Sequence, residues 1–459
     1  MLRDRYEPDP RFWAIIEQLA IEMEPELAEI DKILADDELF QLIKKDLAQR
    51  HPHTLETGRN STPVEVGLRM LAVKRLYQYP YRGTEHHVGD SLVLRWFCRV
   101  YFKDVPDHTT LNRFALDIKP ETLRAFNERV TKLATELKVT RGRKLRTDGT
   151  VVESNIAYPR DSKLLNDGVR VLSRALKQAK VLVEGTRGVC RDRSRSARNQ
   201  ARQIANYARQ RSTKAKANLK GVYQRLIKTT QASVQQAQTA LSVLKSQSSK
   251  TAVRIVDVLE TFIPRVEQAL DQTVRRVLQG ESVPASEKIL SLFEPHTTVI
   301  RRGKAGKETE FGHKVWLDEV DGGIVTQWRV LEGNPTDADQ WQPALDYHIK
   351  QFEKPPLLAS ADRGVYSPDN EDYAQQKGVK RVILPKPGYK SKERRQYEAQ
   401  SWFKRGRRFQ AGVEGRISVG KRKHGLDCCL DHGEDGFDKW VGWGIIANNL
   451  TVMGRTLAA

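Results

Sequence analysis

The chain has 459 residues, with 78 Lys and Arg against 58 Asp and Glu, and a formal net charge of +20 at pH 7. Hydrophobic residues make up 39% of it, enough to build folded cores, which excludes wholesale disorder. No apolar stretch approaches the roughly 20 residues of a membrane span, and no apolar signal segment opens the chain. The four cysteines fit a reducing compartment. We therefore expect a cytoplasmic protein that binds a polyanion, with nucleic acid the first candidate.

The positive charge is concentrated in two stretches. Residues 160–228 hold 19 Lys and Arg against four acids, and residues 386–423 hold 13 against three. The excess in these stretches is larger than that of the whole chain, so the remainder is mildly acidic. Each stretch is either a surface that binds a phosphate backbone or a solvated helix face. A merely soluble basic protein would scatter its charge, which favours the phosphate-binding interpretation.

Residues 1–140 are predicted to be helical, because apolar residues recur at helical spacing in segments such as 15–23 and 66–77. Short helices joined by tight turns are typical of a helix-turn-helix reader of DNA. They are equally typical of a plain helical bundle, and the residues alone leave both interpretations open. The arginines that would contact DNA in the first interpretation are Arg95, Arg99 and Arg113.

A β-rich segment, 144–153, contains the acid Asp148 and is predicted to be the first strand of a sheet. From about 164 to 292 the pattern is helical again, with an apolar seam in its later part that Pro264 should kink. We therefore expect a long helical insertion after the first strand, carrying the first basic stretch.

From residue 297 the pattern alternates between strand and helix. The expected order is a half-buried strand from 311, a hairpin turn at 321–323, a returning strand, and then alternating helices and strands. Such an order predicts a mixed sheet covered by helices. The segment 302–307 has glycines and lysines but lacks the spacing of a nucleotide-binding loop, so we expect a basic loop there.

Three acids lie at positions suited to chemistry: Asp148 within the first strand, Asp362 at the end of a later strand, and Glu414 on the last basic helix. Ligands bind α/β sheets at strand ends. Carboxylates are hard donors for Mg²⁺ or Mn²⁺, and two such ions about 3.5–4 Å apart activate water in phosphodiester attack. Lys421 follows Glu414 by almost two helical turns and shares its face, where it could hold a phosphate. An ordinary surface helix is the alternative.

The chain resembles the DDE transposases of bacterial insertion sequences, of the type in which lysine follows the final glutamate by seven residues. The motifs that carry the resemblance are Thr147–Ser154, Phe311–Val315, Ala361–Tyr366, Gly412–Ser418 leading to Lys421, and Trp440–Leu450. The segment 58–114 resembles the helical domain that precedes such cores.

The resemblance implies an α/β fold with an RNase H-like mixed sheet flanked by helices. Residues 1–140 would form an N-terminal all-helical, DNA-binding domain. The catalytic core would consist of 141–163 and 297–459, separated by the basic helical insertion 164–296.

The resemblance also implies roles for single residues. Asp148, Asp362 and Glu414 would be the catalytic acids that bind Mg²⁺, with Mn²⁺ as a substitute. The DNA-contacting residues would be Lys421, with Arg422 and Lys423 beside it, and Arg408 or Arg416. Arg408 and Arg416 are considered as substitutes, because many members carry an arginine four residues before the glutamate and a tyrosine seven before it. Here those positions hold Gln410 and Arg407.

By the same resemblance we expect a transposase that cuts the ends of a mobile element by water attack and joins the freed 3′-hydroxyl to target DNA. Its partners would be double-stranded DNA, at the terminal inverted repeats and at the target, and a second copy of the chain. Its place would be the bacterial cytoplasm, on the nucleoid when bound to DNA. Two alternatives stay open: a nuclease on the same fold that only hydrolyses, and a DNA-binding protein of transposase descent that no longer cuts.

Overall fold

The computed structural model describes residues 1–182, 191–301 and 309–459. The expected basic loop at 302–307, and residues 183–190 of the first basic stretch, lie outside the described residues. The chain divides into two compact units, one formed by 1–153 and 313–459, and the other by 154–312. No described helix is long and apolar enough to cross a membrane.

Helices precede the first strand, as the sequence predicts. Several begin at residues that suit a helix start: the side chains of Asp36, Ser91 and Asp107 accept N–H bonds of the first turn. These helices are α1 (Pro10–Gln18), α2 (Pro25–Ile33), α3 (Asp37–Ala48), α4 (Val64–Leu76), α5 (Tyr81–Asp90), α6 (Leu92–Phe97), α7 (His108–Asp117) and α8 (Pro120–Glu136).

A mixed open sheet lies in the first unit. Its strands are β1 (Lys144–Ser154), β3 (Thr309–Val320), β4 (Val325–Leu331), β5 (Leu358–Ser360), β6 (Arg381–Ile383) and the short β7 (Cys428–Cys429). Strand β3 lies between β4 and β1, followed by β5 and β6, while β7 pairs with β1. The β1–β5 and β5–β6 pairs are parallel, and β3–β4 is the antiparallel hairpin expected from the turn at 321–323.

The expectation that β3 is half-buried is wrong for its later part, since every residue from Val315 to Val320 is buried. The reason is that helices cover both faces of the sheet. On β4, Trp328 packs against Gly442, whereas the guanidinium of its neighbour Arg329 reaches the carbonyl of Gln340 on the opposite face.

The helices of the carboxyl-terminal half are α13 (Trp341–Phe352), α14 (Pro368–Gln376), α15 (Lys392–Ala399), α16 (Ser401–Lys423) and α17 (Gly433–Ala458). Helix α17 packs against α2, α4, α8 and β4 and is buried around its whole circumference along most of its length. Helix α16 packs on β5 and β6, and approaches closely because Gly406 leaves space for the side chain of Ile383.

The second unit is a helical bundle with its own apolar core. It contains α9 (Asp161–Leu182), α10 (Ser194–Tyr207), α11 (Thr213–Leu244) and α12 (Lys250–Thr273), followed by a π-helical turn. Helices α10 and α12 each pack against both α9 and α11. Helix α12 continues through Pro264. Strand β2 (Thr298–Arg301) pairs in this unit with the first residues of β3.

Candidate active site

The three acids singled out from the sequence line one pocket of about 550 Å³ in the first unit. We call it the carboxylate pocket. Asp148 comes from β1, Asp362 from the residues that follow β5, and Glu414 from α16. More than 200 positions separate the first two in the chain. The fold therefore brings together carboxylates that the sequence keeps far apart.

The register of the sheet explains how two of these acids meet. Strands β1 and β5 are parallel neighbours in which Arg146 pairs with Ser360. Asp148 and Asp362 each follow that pair by two residues, so their backbones leave it at the same level and in the same direction. Strand β5 ends at Ser360, and α/β sheets bind ligands at such strand ends, whereas β1 continues past Asp148 to Ser154.

Local hydrogen bonds orient both aspartates. The Gly149 N–H donates to Asp148 Oδ1 at 2.7 Å, and the Arg363 N–H donates to Asp362 Oδ1 at 2.7 Å, where Asp362 caps a short 3₁₀ turn. Asp148 is half-buried and Asp362 is exposed.

Glu414 lies on the exposed side of α16, next to Val413, which is buried against the sheet. Its carboxylate makes no hydrogen bond or ion pair with any described residue. The hard oxygen donors of the pocket suit Mg²⁺ or Mn²⁺. They stand around the pocket wall: nowhere in 1–182, 191–301 or 309–459 do three His, Cys, Asp or Glu side chains converge closely enough to hold a metal ion.

Gln410 joins the elements that carry the three acids. Its Nε2 donates to the carbonyl of Thr147 at 2.9 Å, and its Oε1 accepts from Ser360 Oγ at 2.8 Å. Thr147 precedes Asp148, Ser360 lies two residues before Asp362, and Gln410 is one helical turn before Glu414. A single amide thus links β1, β5 and α16 beside the carboxylates. The sequence marks this position only as a departure from the family pattern.

A buried ion-pair cluster also fixes α16 on the sheet. Glu319, whose side chain is 1% exposed, accepts from Arg146 at 2.6 and 3.0 Å and from Arg416 Nε at 3.3 Å. Arg146 also donates to the carbonyl of Phe409 at 2.6 Å. The guanidinium of Arg416 therefore faces the sheet in this arrangement, and its contact with DNA stays a prediction.

Cations surround the carboxylates. Arg363, Lys386, Lys390 and Arg407 line the pocket. Glu398 organises the loop that carries the lysines, because its carboxylate accepts from the Lys386 N–H and from Lys390 Nζ. Burial favours the protonated form of Glu398, but these hydrogen bonds outweigh it and lower the pKa of its carboxyl. Basic side chains are thus available where a DNA phosphate would approach the acids.

The remaining predicted DNA contacts lie on the same helix. Arg408, Arg422 and Lys423 are exposed, and Lys421 is half-buried. Because α16 is continuous from Ser401 to Lys423, Glu414 and Lys421 share one helix as the spacing predicts. Their contact with DNA stays a prediction.

Two of the three arginines considered for a helix-turn-helix contact are used inside the protein. Arg95 donates to the carbonyls of Gly89 and Tyr101, and Arg99 pairs with Asp31 at 2.9 Å. Arg113 is exposed. Arg95 and Arg99 are therefore engaged within the fold, and DNA binding by these helices stays a prediction.

Residues 16–116 match the sequence model of a family described as a transposase domain (DUF772). This similarity supports a transposase family and transposition as the function of the chain, and it extends from the end of α1 to α7. No curated protein and no solved structure matches the chain. The matched segment ends before Asp148, so it is independent of the carboxylate pocket.

Proposed function

We propose that this protein is a transposase of the DDE type, with an RNase H-like core that cuts DNA at the ends of a mobile element and joins them to target DNA. The proposal proceeds from the transposase-domain match of the N-terminal helices. It extends that match to chemistry through the carboxylate pocket, which lies in the same unit.

One observation carries the proposal: Asp148, Asp362 and Glu414 line a single pocket just beyond the parallel pairing of β1 with β5. These acids lie in a chain with a net charge of +20 and are surrounded by basic side chains. Carboxylates in such a setting repel phosphate unless a cation neutralises them. A site for divalent metal and phosphodiester accounts for both the acids and the bases.

Asp148, Asp362 and Glu414 would hold Mg²⁺, for which Mn²⁺ would substitute. A bound metal at such a site lowers the pKa of water and neutralises the charge that develops on the leaving oxygen. Arg363, Lys386 and Arg407, at the pocket wall, would bind the neighbouring phosphates of double-stranded DNA. The hydrogen bonds from the Gln410 side chain to Thr147 and Ser360 would hold the acids at fixed separation when DNA enters.

We propose two partners, as the family resemblance implies. Double-stranded DNA supplies the terminal repeats and the target, and a second copy of the chain holds the other end. Domain assignments follow the same lines: the helices before β1 and the basic bundle are DNA-binding regions, and the sheet is the catalytic core.

The test uses Asp148→Asn and Asp362→Asn with a labelled duplex that contains the DNA flanking the coding sequence. Asparagine preserves shape but removes the charge that binds Mg²⁺. We expect Mg²⁺-dependent nicking to fall at least about a thousandfold, with DNA affinity within about threefold of wild type. Turnover comparable with wild type in either variant would remove that residue from the site.

The third ligand is tested by comparing Glu414→Gln with Glu393→Gln and Glu434→Gln, two exposed acids outside the pocket. Only Glu414→Gln should lose activity by orders of magnitude, while Lys421→Ala should mainly weaken DNA binding. Glu398 is unsuitable as a control because it holds Lys386 and Lys390. Normal cleavage by Glu414→Gln would show that Glu414 is not the third metal ligand.

The products of the wild-type reaction discriminate between the candidate functions. Joining of the cut 3′ end to a second duplex supports the transposase. Nicking without joining indicates a nuclease that only hydrolyses. Binding without any metal-dependent nicking indicates a DNA-binding protein that has lost the reaction.

A further inference from the structure

A second cavity, of about 370 Å³, lies in the first unit among α4, α7, α17 and the segment after β7. Three cationic residues line it, Lys74, Arg75 and Lys439, together with Tyr81 and Trp440. We call it the cationic pocket. It shares no lining residue with the carboxylate pocket.

Lys74 is only 7% exposed, although lysine is almost never buried without a partner. Its Nζ lies over the rings of Tyr81, at 4.4 Å, and Trp440, at 5.2 Å. Among the described residues it has no carboxylate or carbonyl within hydrogen-bonding distance. Burial lowers the pKa of Lys74 to about 8, which leaves it mostly charged at neutral pH.

Arg75 and Lys439 are held around the same cavity. Arg75 stacks on Trp440 and donates from Nη2 to the Trp440 carbonyl at 2.6 Å, but its buried Nε has no hydrogen-bond partner among the described residues. Lys439 donates to the carbonyls of Ala115 and Leu116, at the end of α7. Arg75 and Lys74 therefore retain hydrogen-bonding capacity beside the cavity.

The protein offers these three cations little compensation. Asp431 is the only carboxylate residue in the pocket lining, and its charge raises the pKa values of Lys74, Arg75 and Lys439 against the larger effect of burial. Burying a charge without a partner is costly. A site with two uncompensated positive charges is thus complementary to an anion.

The aromatic and apolar side chains that line the cationic pocket indicate which chemical group is attached to the anion. Tyr81, Trp440 and Trp443 supply aromatic surface, and the rim includes Leu116 and Leu430, which are 65% and 57% exposed. A small inorganic anion would leave this apolar surface in water. A planar apolar group attached to the anion would cover it.

We propose that the cationic pocket binds a nucleotide unit, with its phosphate ester at Lys74 and Arg75 and its base against the aromatic side chains. The phosphate ester comes either from a free mononucleotide or from the end of a DNA strand. The site is separate from metal-dependent cleavage.

The test measures binding of AMP, adenosine and inorganic phosphate to the full chain by calorimetry, without metal and in the Asp148→Asn variant. We expect AMP to bind at least tenfold more tightly than adenosine. Lys74→Met, which keeps the packing on Tyr81 and Trp440, should weaken AMP binding at least tenfold. The exposed Lys132→Met is the matched control and should leave it within twofold.

A melting scan without ligand separates lost binding from misfolding, because removing an uncompensated buried charge should leave the melting temperature of Lys74→Met unchanged or raised. A Lys74-dependent preference for a 5′-phosphorylated over a 5′-hydroxyl oligonucleotide identifies a DNA end, and AMP binding without that preference identifies the mononucleotide. Equal affinity for AMP and adenosine, or wild-type AMP binding by Lys74→Met, would overturn the proposal. None of these outcomes depends on cleavage, so the proposed function stands or fails separately.

Discussion

The two units of this protein use their arginines differently. In the first unit several arginines are paired inside the fold: Arg69, fully buried, lies between Asp31 and Glu65, and Arg129 is bound to Asp36. In the second unit the arginines along α10 are mainly exposed. Within the described ranges, no carboxylate forms an ion pair with any Lys or Arg of 191–228.

The distribution of charge along the bundle sharpens this contrast. Helix α11 carries all its Lys and Arg in the first half, up to Lys228, and its second half has no charged residue. The acids of the bundle are concentrated on α12, which has Asp257, Glu260, Glu267 and Asp271. The paired arginines of the first unit stabilise the fold, whereas charge on α10 and the start of α11 is available to a polyanion. Substitutions in the two units should therefore have opposite consequences.

The largest effect on stability is expected from Arg146→Met. It leaves Glu319 buried with only the longer contact to Arg416, and also removes a bond to the Phe409 carbonyl. Breaking a buried ion pair from one side costs about 3–5 kcal/mol, which we expect as the loss in the free energy of unfolding. Urea denaturation measures it, with the exposed Arg405→Met as the control expected to change it by less than about 0.5 kcal/mol. Similar values for the two variants would contradict the structural role of Arg146.

Buried histidines should make the stability of the first unit sensitive to acid. His348 is 1% exposed and its Nε2 is 3.1 Å from the Gly142 carbonyl; burial lowers its pKa to about 4 from the usual 6.5. The unfolded chain therefore binds the proton first, and stability contributed by neutral His348 is lost as pH falls from 6.5 towards 4. Its full contribution is on the order of 3 kcal/mol.

Replacement by glutamine isolates this effect. Between pH 7 and 4 the free energy of unfolding of His348→Gln should fall less than that of wild type. His424, with a pKa also lowered by burial to about 4, remains in both proteins, and so does Asp318, whose pKa burial raises to about 7. The difference between the two curves therefore reports His348, and parallel curves would contradict its lowered pKa.

Gln410→Ala should have a smaller effect on stability and a larger one on catalysis. It removes two hydrogen bonds, at roughly 1 kcal/mol each, but releases α16 from the strands that carry the aspartates. We expect cleavage to fall by about 10²-fold and the Mg²⁺ requirement to rise. Ser360→Ala, which removes one of the bonds, should give an intermediate result. An unchanged Mg²⁺ requirement would make Gln410 merely structural.

Much of the fold follows from the sequence because its patterns are local. The alternation of apolar and polar residues and the Asp-Gly-Gly turn predict the β3–β4 hairpin. The helical spacing of apolar residues predicts the bundle. The burial of both faces of β3 does not follow, because it depends on helices from distant parts of the chain. Strand propensity locates Asp148, but only the parallel β1–β5 register places it beside Asp362.

Some residues of the two sites cannot be identified from the sequence, because their roles depend on long-range contacts and no neighbouring sequence pattern distinguishes them. Gln410 looks like an ordinary polar residue on a basic helix, and its meaning lies in the carbonyl of Thr147 and the hydroxyl of Ser360. Lys74 resembles the basic end of a helix until α17 and α5 cover it with Trp440 and Tyr81. Charge patterns predict partners at exposed positions, whereas buried charges are recognised only when the packing is known.

The smallest effect on stability is expected on α10. Arg195, Arg198 and Arg202 are exposed and lie at spacings of three and four, on one face of the helix. Arg193 does not belong with them, because it donates to Gln236 on α11. Replacing the three exposed arginines by glutamine should change the free energy of unfolding by less than about 0.5 kcal/mol for each.

The same triple variant should have a clear effect on DNA binding. Each phosphate neutralised contributes about −0.9 to the slope of log affinity against log salt, so losing three contacts should flatten the slope by up to about 3. The loss should be similar for duplexes of any sequence, because phosphate contacts carry no base information. As a matched control, Lys250→Gln with Arg254→Gln neutralises exposed cations on α12, beside its acids, and should leave the slope nearly unchanged. If the triple variant keeps the wild-type slope, α10 is a solvated face, and the contrast between the units reflects solubility of the bundle and not its use in binding DNA.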